Sequence, residues 1–156
     1  HDDQIPSPTL RFQAGSQYKL TLNNNLGPEA AVNTLNIIKE VNYTNIHTHG
    51  MHISGESPGD NIFHKISPES NLEYIYNIPC DHHGGTLWYH PHHHGSTTIQ
   101  VGGGAAGAII VDDNINYETN AFPSWYTELN AKELILVIQH LDLSKVDRLG
   151  SSIDNL

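Results

Sequence analysis

Three scarcities limit what this sequence can do. One cysteine, Cys80, stands among 156 residues, so no disulfide can form within the chain. Lys and Arg number 7 against 17 Asp and Glu, which gives a formal net charge of −10. A chain this acidic has no basic surface to neutralise phosphates, which excludes nucleic acids and anionic membranes as partners. No apolar run approaches the ~20 residues that a membrane-spanning helix needs.

The pattern of apolar residues predicts short strands rather than helices. Residues 18–24 and 72–78 alternate apolar and polar side chains, as strands with one face on a core do. Apolar runs bounded by Gly, Asn, Asp or Pro predict three more strands, at residues 86–92, 107–113 and 133–143. Residues 124–133 have too few spaced apolar positions to predict a helix. We therefore expect an all-β sandwich or barrel.

Histidine is abundant, and most of it is clustered. Ten of the 12 histidines lie within 48 residues, at positions 47, 49, 52, 64, 82, 83, 90, 92, 93 and 94. Residues i and i+2 of a strand share a face, so His47 and His49 project together, as do His90 and His92. The Cβ atoms of each pair would be ~7 Å apart, which suits one shared metal or two adjacent metals. Because all these ligands are imidazoles, copper or zinc is favoured over the hard cations.

Residues beside the pairs indicate where such a site would lie. Gly50 and Gly95 stand one and three residues after the two pairs, where the missing Cβ allows a sharp turn or a close approach of chains. Pro91, between His90 and His92, has no backbone donor and predicts a sheet edge or a strand end. A site at such a place can open toward another domain.

Several of these segments resemble a known family. TNIHTHGMHIS, GDNIF and GTLWYHPHHHGSTTIQVGGGAAGAIIV are similar to the first cupredoxin domain of the multicopper oxidases, the group that includes laccases and bilirubin oxidases. The resemblance runs from Gln4 to Asp113. It implies a cupredoxin-like Greek-key β-sandwich or barrel over residues 1–117. Residues 118–156 would then be a linker and the opening strand of a following domain, or a C-terminal extension.

The resemblance also implies a metal and its ligands. His47 would bind a type 2 copper and His49 a type 3 copper, while His90 and His92 would each bind a different member of the type 3 pair. These are four of the eight histidines of a complete trinuclear cluster; in the family the others come from a later cupredoxin domain. Asp60 would lie near the type 2 copper and assist proton delivery to oxygen, although an Asp in GDNIF is also typical of a turn.

The electron-entry site of the family has no counterpart in the sequence. A type 1 copper needs a Cys thiolate, two histidines and usually an axial Met, and the single Cys80 and Met51 fall at positions where the family has no ligand. Cys80 is interpreted as a small apolar residue. The other histidines near the two pairs are interpreted as surface or hydrogen-bonded groups. Trp88 and Tyr89 are interpreted as packing residues, Gln100 as a hydrogen-bonding support, and His1 as an N-terminal residue that lacks a second ligand for copper.

Two functions remain open. In the first, the chain is the N-terminal cupredoxin domain, or a fragment, of an oxidase that couples one-electron oxidation of a small substrate to four-electron reduction of O₂. In the second, it is a non-catalytic copper store or scavenger. A structural zinc site is less favoured, since such sites often recruit Cys. With only three residues before Gln4, we expect the first strand of the domain to be missing or borrowed. We also expect a further domain or second copy as partner, including a homo-oligomer, and a secreted or periplasmic location.

Overall fold

The computed structural model describes residues 4–28, 39–113, 125, 128–129 and 131–140. Over the described residues between 4 and 113 the chain forms six strands and one short helix. In chain order they are β1 (Leu10–Gln13), β2 (Gln17–Asn24), β3 (His47–His49), β4 (Ser70–Asn77), β5 (Gly85–His90), α1 (Thr97–Gly102) and β6 (Gly107–Asp112). The all-β prediction is confirmed for the described residues.

Two sheets carry the strands. The larger has the order β1-β6-β5-β3, with β1 parallel to β6 and the other pairs antiparallel. The smaller is the antiparallel pair β2-β4. Strand β3 is an edge of the larger sheet, and its register with β5 sets His47 opposite His90 and His49 opposite Trp88. One edge of the sheet therefore carries histidines from two segments that are distant in the sequence.

The apolar core lies against β4 and β6. Tyr74 and Tyr76 alternate with less buried residues along β4, and each has 0% exposure. Strand β6 is buried from Gly107 to Val111, as expected of a strand covered on both faces. Phe12 of β1 packs against Tyr76 at 6.0 Å between ring centroids. This core fixes the β5–β6 pairing and, through β5, the position of the histidine edge.

The predicted strand at residues 133–143 is wrong over its described part. Residues 133–140 adopt no strand, and Leu134 and Ile138 are 78% and 90% exposed. An apolar run becomes a strand only where its backbone finds a partner, and none of the described strands pairs with this one. The sequence did not predict a helix in residues 124–133. This was wrong at Trp125, Glu128 and Leu129, which are helical.

Other predictions fall outside the described residues. They are the domain boundary at 117/118 and any role of His1. Strand β1 is the first element of the described chain, and it lies at the edge of the larger sheet opposite to β3. Whether a further strand precedes it stays a prediction. None of the described helices is long and apolar enough to cross a membrane.

Candidate metal centre

Four imidazole rings gather at the β3 edge. His47 and His49 come from β3, His90 is the last residue of β5, and His92 follows two residues later. The ring centroid of His47 lies 5.8, 5.4 and 5.2 Å from those of His49, His90 and His92. Nitrogen atoms of the first three rings all lie within 4.8 Å of one another. The two pairs predicted from the sequence thus face one another across a single site.

His92 reaches this site from outside the strand. Strand β5 ends at His90, so the expectation that His90 and His92 share a strand face is wrong. The cause is Pro91, which cannot donate a ladder hydrogen bond. Even so, the ring of His92 lies 5.9 Å from that of His90. Something other than the β-ladder must therefore hold His92 in place.

His90 presents a nitrogen that lacks a partner. Its Nδ1 donates to the carbonyl of Pro91 at 2.8 Å, while its Nε2 is buried and makes no hydrogen bond. Burial lowers the pKa of His90, and the nearby histidines lower it further. The ring is therefore neutral at pH 7, which is the form that binds a metal. A buried nitrogen without a partner costs about 1–3 kcal/mol, and a metal ion at Nε2 would remove that cost.

Asp60 orients His47. The Asp60 carboxylate is 2.9 Å from His47 Nδ1 through Oδ2, and its Oδ1 accepts from the amide of Thr48 at 2.9 Å. A carboxylate at Nδ1 requires a proton there, which leaves Nε2 of His47 free as a ligand. This is the carboxylate–histidine arrangement that commonly supports protein metal ligands. The contacts thus show Asp60 as a support of His47; its predicted part in proton delivery stays a prediction.

Trp88 stacks on two of the rings. Its indole lies 4.2 Å from the His90 ring and 5.1 Å from the His49 ring, at interplanar angles of 29° and 25°. It was predicted as a packing residue, and it packs on the site although it is 41% exposed. Tyr89 points to the other face of β5, where its hydroxyl donates to the carbonyl of Pro8 at 2.6 Å. Alternation along β5 therefore gives these neighbours different roles.

A hydrogen-bonded network lies behind the histidines. Gln100, predicted as a support, accepts from Thr44 Oγ1 at 2.8 Å and donates to the carbonyls of Tyr43 and Val41. Asn45 was not predicted. It is 1% exposed and bonds the backbone of three other residues. Its position two residues before His47 was the one hint in the sequence, and it did not indicate the bonding partners.

Two of the remaining histidines, His82 and His93, make side-chain contacts outside this group. His82 is buried, accepting from the His52 amide at 2.9 Å and contacting the His83 carbonyl at 2.8 Å. His93 Nε2 lies 2.8 Å from Glu40. Of the described residues, His47, His49 and His90 form the group of three metal-ligating side chains close enough to share an ion. Cys80 is exposed and is not in that group.

Comparison with known proteins agrees with this geometry. The sequence profile of a family described as Multicopper oxidase matches residues 1–116. The chain belongs to this family. A comparison with curated protein sequences yields no match. The metal that a multicopper oxidase uses is copper, and the imidazole site offers nitrogen ligands that suit it.

Solved multicopper oxidases share the fold. One from Campylobacter jejuni, described as a metallo-oxidase, is 27% identical, covers 71% of this chain and has a TM-score of 0.56. McoA from Aquifex aeolicus is 27% identical over 68% of the chain, with a TM-score of 0.52. A laccase from Pediococcus acidilactici, at 24% identity over 72% of the chain and a TM-score of 0.57, supports the fold alone. The chain spans only 20%, 20% and 21% of these proteins. The cupredoxin-like fold is thereby confirmed.

Proposed function

We propose that this chain supplies half of the trinuclear copper centre of a multicopper oxidase that reduces O₂ to water. The observation that carries the proposal is the convergence of four imidazoles, one of which has a buried Nε2 without a hydrogen-bond partner. Structural polar groups in a protein interior are normally paired. An unpaired nitrogen that faces three other imidazoles is therefore better explained by a metal than by packing.

The ligand roles follow the pattern of the family. His47 would bind a type 2 copper, and His49, His90 and His92 would bind the type 3 pair. The ring centroids lie 5.2 to 5.9 Å apart, a spacing that suits imidazoles bound to one shared ion or to adjacent ions. The residue ranges 1–117, as the cupredoxin domain with this half site, and 118–156, as a linker and opening strand or an extension, belong to the same proposal.

The protein residues prepare the site before any metal arrives. Copper bound here would supply one-electron redox chemistry and the reduction of O₂. Nδ1 of His47 donates to Asp60, and Nδ1 of His90 donates to the Pro91 carbonyl. In both rings Nε2 is then left to bind a metal. Asp60, 8% exposed and in contact with a ligand, would assist proton delivery to oxygen. Preorganised rings of this kind lose little entropy when a metal binds.

The other ligands of such a centre would come from outside the described residues. A further cupredoxin domain, or another copy of this chain in a homo-oligomer, would supply them. In the described sheet β3 pairs with β5 alone, so the histidine pairs lie at an edge that a partner can approach. The complete enzyme would take O₂ and a small reducing substrate, and a secreted or periplasmic location is part of the proposal.

A second candidate is a copper-binding module without turnover, acting as a store or scavenger. It is supported by the group of three imidazoles within the described residues, which can bind a copper ion without a partner domain. Both candidates share the half site and differ in whether a partner completes it.

The test is a titration of the metal-free chain with Cu(II). We expect nitrogen-coupled electron paramagnetic resonance signals, no blue thiolate absorption, and quenching of Trp88, which stacks on two of the rings. A His47→Leu/His90→Leu variant should lose these signals. The matched variant His52→Leu/His83→Leu removes two exposed imidazoles and should keep them. Equal loss in both variants would contradict the proposed site. Oxidation of a phenolic dye by this chain without a partner would contradict the half-site claim.

A further inference from the structure

We propose that Asn45 is a positioning residue of the metal centre, which fixes His92 and the loop after Asp60 relative to β3. The inference rests on the proposed function, because it concerns the spacing of the ligands named there. It arises from one observation: the buried side-chain amide of Asn45 bonds to the backbone of the loop after Asp60 and to the backbone of His92.

Asn45 uses both ends of its side chain. Its Nδ2 donates to the carbonyls of Ile62 and His64 at 2.8 and 2.9 Å. Its Oδ1 accepts from the amide of His92 at 2.6 Å. Its own backbone lies two residues before His47. The residue therefore joins the start of β3, the loop that follows Asp60, and the second histidine pair.

His92 depends on this contact more than the other three histidines do. His47, His49 and His90 belong to strands that the ladder between β3 and β5 aligns. His92 lies beyond the end of β5, after a proline that has no amide, and its side chain is exposed. Neither ladder nor burial fixes its backbone. The hydrogen bond from the His92 amide to Asn45 Oδ1 fixes it, and Asn45 lies just before β3, which carries the other pair.

The chemistry of the position selects an amide. The two backbone carbonyls need two donors, and the backbone N–H of His92 needs one acceptor. An Asn side chain offers this combination. Asp keeps the acceptor but turns a second oxygen toward the carbonyls of Ile62 and His64. Leu keeps the approximate size and offers neither donor nor acceptor. The two substitutions therefore remove one or both of the connections that Asn45 makes.

Asn24 provides a matched control. It is 2% exposed, and its Nδ2 also donates to two carbonyls, those of Asn42 and Ile66, at 2.8 and 2.9 Å. Its Oδ1 accepts from the amide of Leu26 at 3.1 Å. Asn24 thus has the same burial and the same bonding as Asn45, but its hydrogen bonds go to none of the four clustered histidines. A loss that is merely structural should be similar for both.

The experiment compares Asn45→Leu with Asn24→Leu in the full chain. In Asn45→Leu we expect about 10-fold to 100-fold weaker Cu(II) binding and fewer imidazole couplings in the Cu(II) spectrum, as for loss of other ligand supports. The His92 amide of the metal-free protein should exchange with solvent faster. In Asn24→Leu the Leu26 amide should exchange faster, while Cu(II) affinity stays within about twofold of wild type.

Asn45→Asp separates the two connections. It should keep the His92 amide protected, because the acceptor remains, and should weaken Cu(II) binding less than Asn45→Leu.

If Asn45→Leu does not fold, the Asn45→Asp variant and hydrogen exchange in the wild-type protein carry the test. An unprotected His92 amide in wild type would overturn the inference, as would equal losses of Cu(II) affinity in the two Leu variants. Failure of wild type to bind Cu(II) would instead overturn the proposed function, while the exchange measurements would still show whether Asn45 holds His92.

Discussion

The apolar core and the histidine edge of this molecule are stabilised by different forces. In the core, Tyr74, Tyr76 and Ile109 have 0% exposure and pack around β4 and β6. Burial of this kind is strong, non-directional and tolerant of small shifts. At the edge, Asn45 and Gln100 bond through their side chains to the backbone of loops and strand ends. Hydrogen bonds of this kind contribute modestly to stability but depend strongly on geometry.

The core therefore determines the stability of the fold, and the edge determines the positions of the ring nitrogens. The core keeps β5 beside β6, and any side chains of suitable volume would do so. The edge must hold several ring nitrogens at fixed separations, and the site tolerates little displacement because metal geometry is specific. Substitutions in the two regions should therefore differ in which property they change, and four predictions test this from the largest effect to the smallest.

Ile109→Ala tests the core. Ile109 is fully buried in β6, so the substitution should lower the free energy of unfolding by about 3 kcal/mol through lost burial and the cavity left behind. Urea denaturation measures this. Cu(II) affinity, measured well below the unfolding transition, should stay within about twofold of wild type. A larger loss of affinity would show that core and edge are not separable.

His90→Leu tests the opposite case. We expect Cu(II) affinity to fall about 100-fold, or about 2.7 kcal/mol. The free energy of unfolding of the metal-free chain should be unchanged or higher, because the substitution removes the buried Nε2 that lacks a partner. Calorimetric titration and urea denaturation give the two values. His83→Leu, at an exposed histidine, is the control and should change neither; strong destabilisation by His90→Leu would mean that His90 is a structural residue.

Asp60→Asn removes the charge that orients His47. The two side chains have nearly the same shape, and Thr48 can still donate to the remaining carbonyl oxygen. Because the contact with His47 Nδ1 weakens, we expect about 10-fold weaker Cu(II) binding. Asp112→Asn disrupts an exposed ion pair with Arg11 and should have no such effect. Equal affinities for Asp60→Asn and wild type would show that the carboxylate does not prepare the site.

The smallest effect concerns pH. Burial lowers the pKa of His64 below its usual 6.5, partly opposed by Asp60. The folded ring stays neutral where the unfolded ring takes up a proton, so the stabilising contribution is complete above pH 6.5 and is lost as the pH falls below it. Burial also lowers the pKa of His90, which has the same effect on stability. The free energy of unfolding of the metal-free chain should therefore decrease from pH 7.5 to 5.5, and less steeply in His64→Phe. Identical slopes would contradict this account of His64.

Sequence patterns predicted the regular parts of the fold well. Strands β2, β4, β5 and β6 lie within about two residues of their predicted bounds because each shows alternation or a bounded apolar run. Strand β1 was missed because four residues, LRFQ, are too short to show a period. The helix α1 has six residues and was missed for the same reason. The prediction of a strand at residues 133–140 was wrong because apolar composition cannot show whether a partner strand is present.

The sequence predicted which histidines lie together, and it predicted Gln100 but not Asn45 as a hydrogen-bonding residue behind them. The spacing of two His-x-His pairs indicated shared faces, but the register that sets His47 opposite His90 depends on tertiary pairing. Asn45 could not be assigned a role, since its partners at 62, 64 and 92 come together only in the folded chain. Directional contacts between distant segments leave little trace in local sequence.

The most direct test is anomalous diffraction at the copper absorption edge from crystals of the copper-loaded chain. The account predicts copper between the β3 and β5 histidines, bound by Nε2 of His47 and Nε2 of His90. Copper bound instead at Cys80 or His82, with the four clustered imidazoles free of metal, would contradict it.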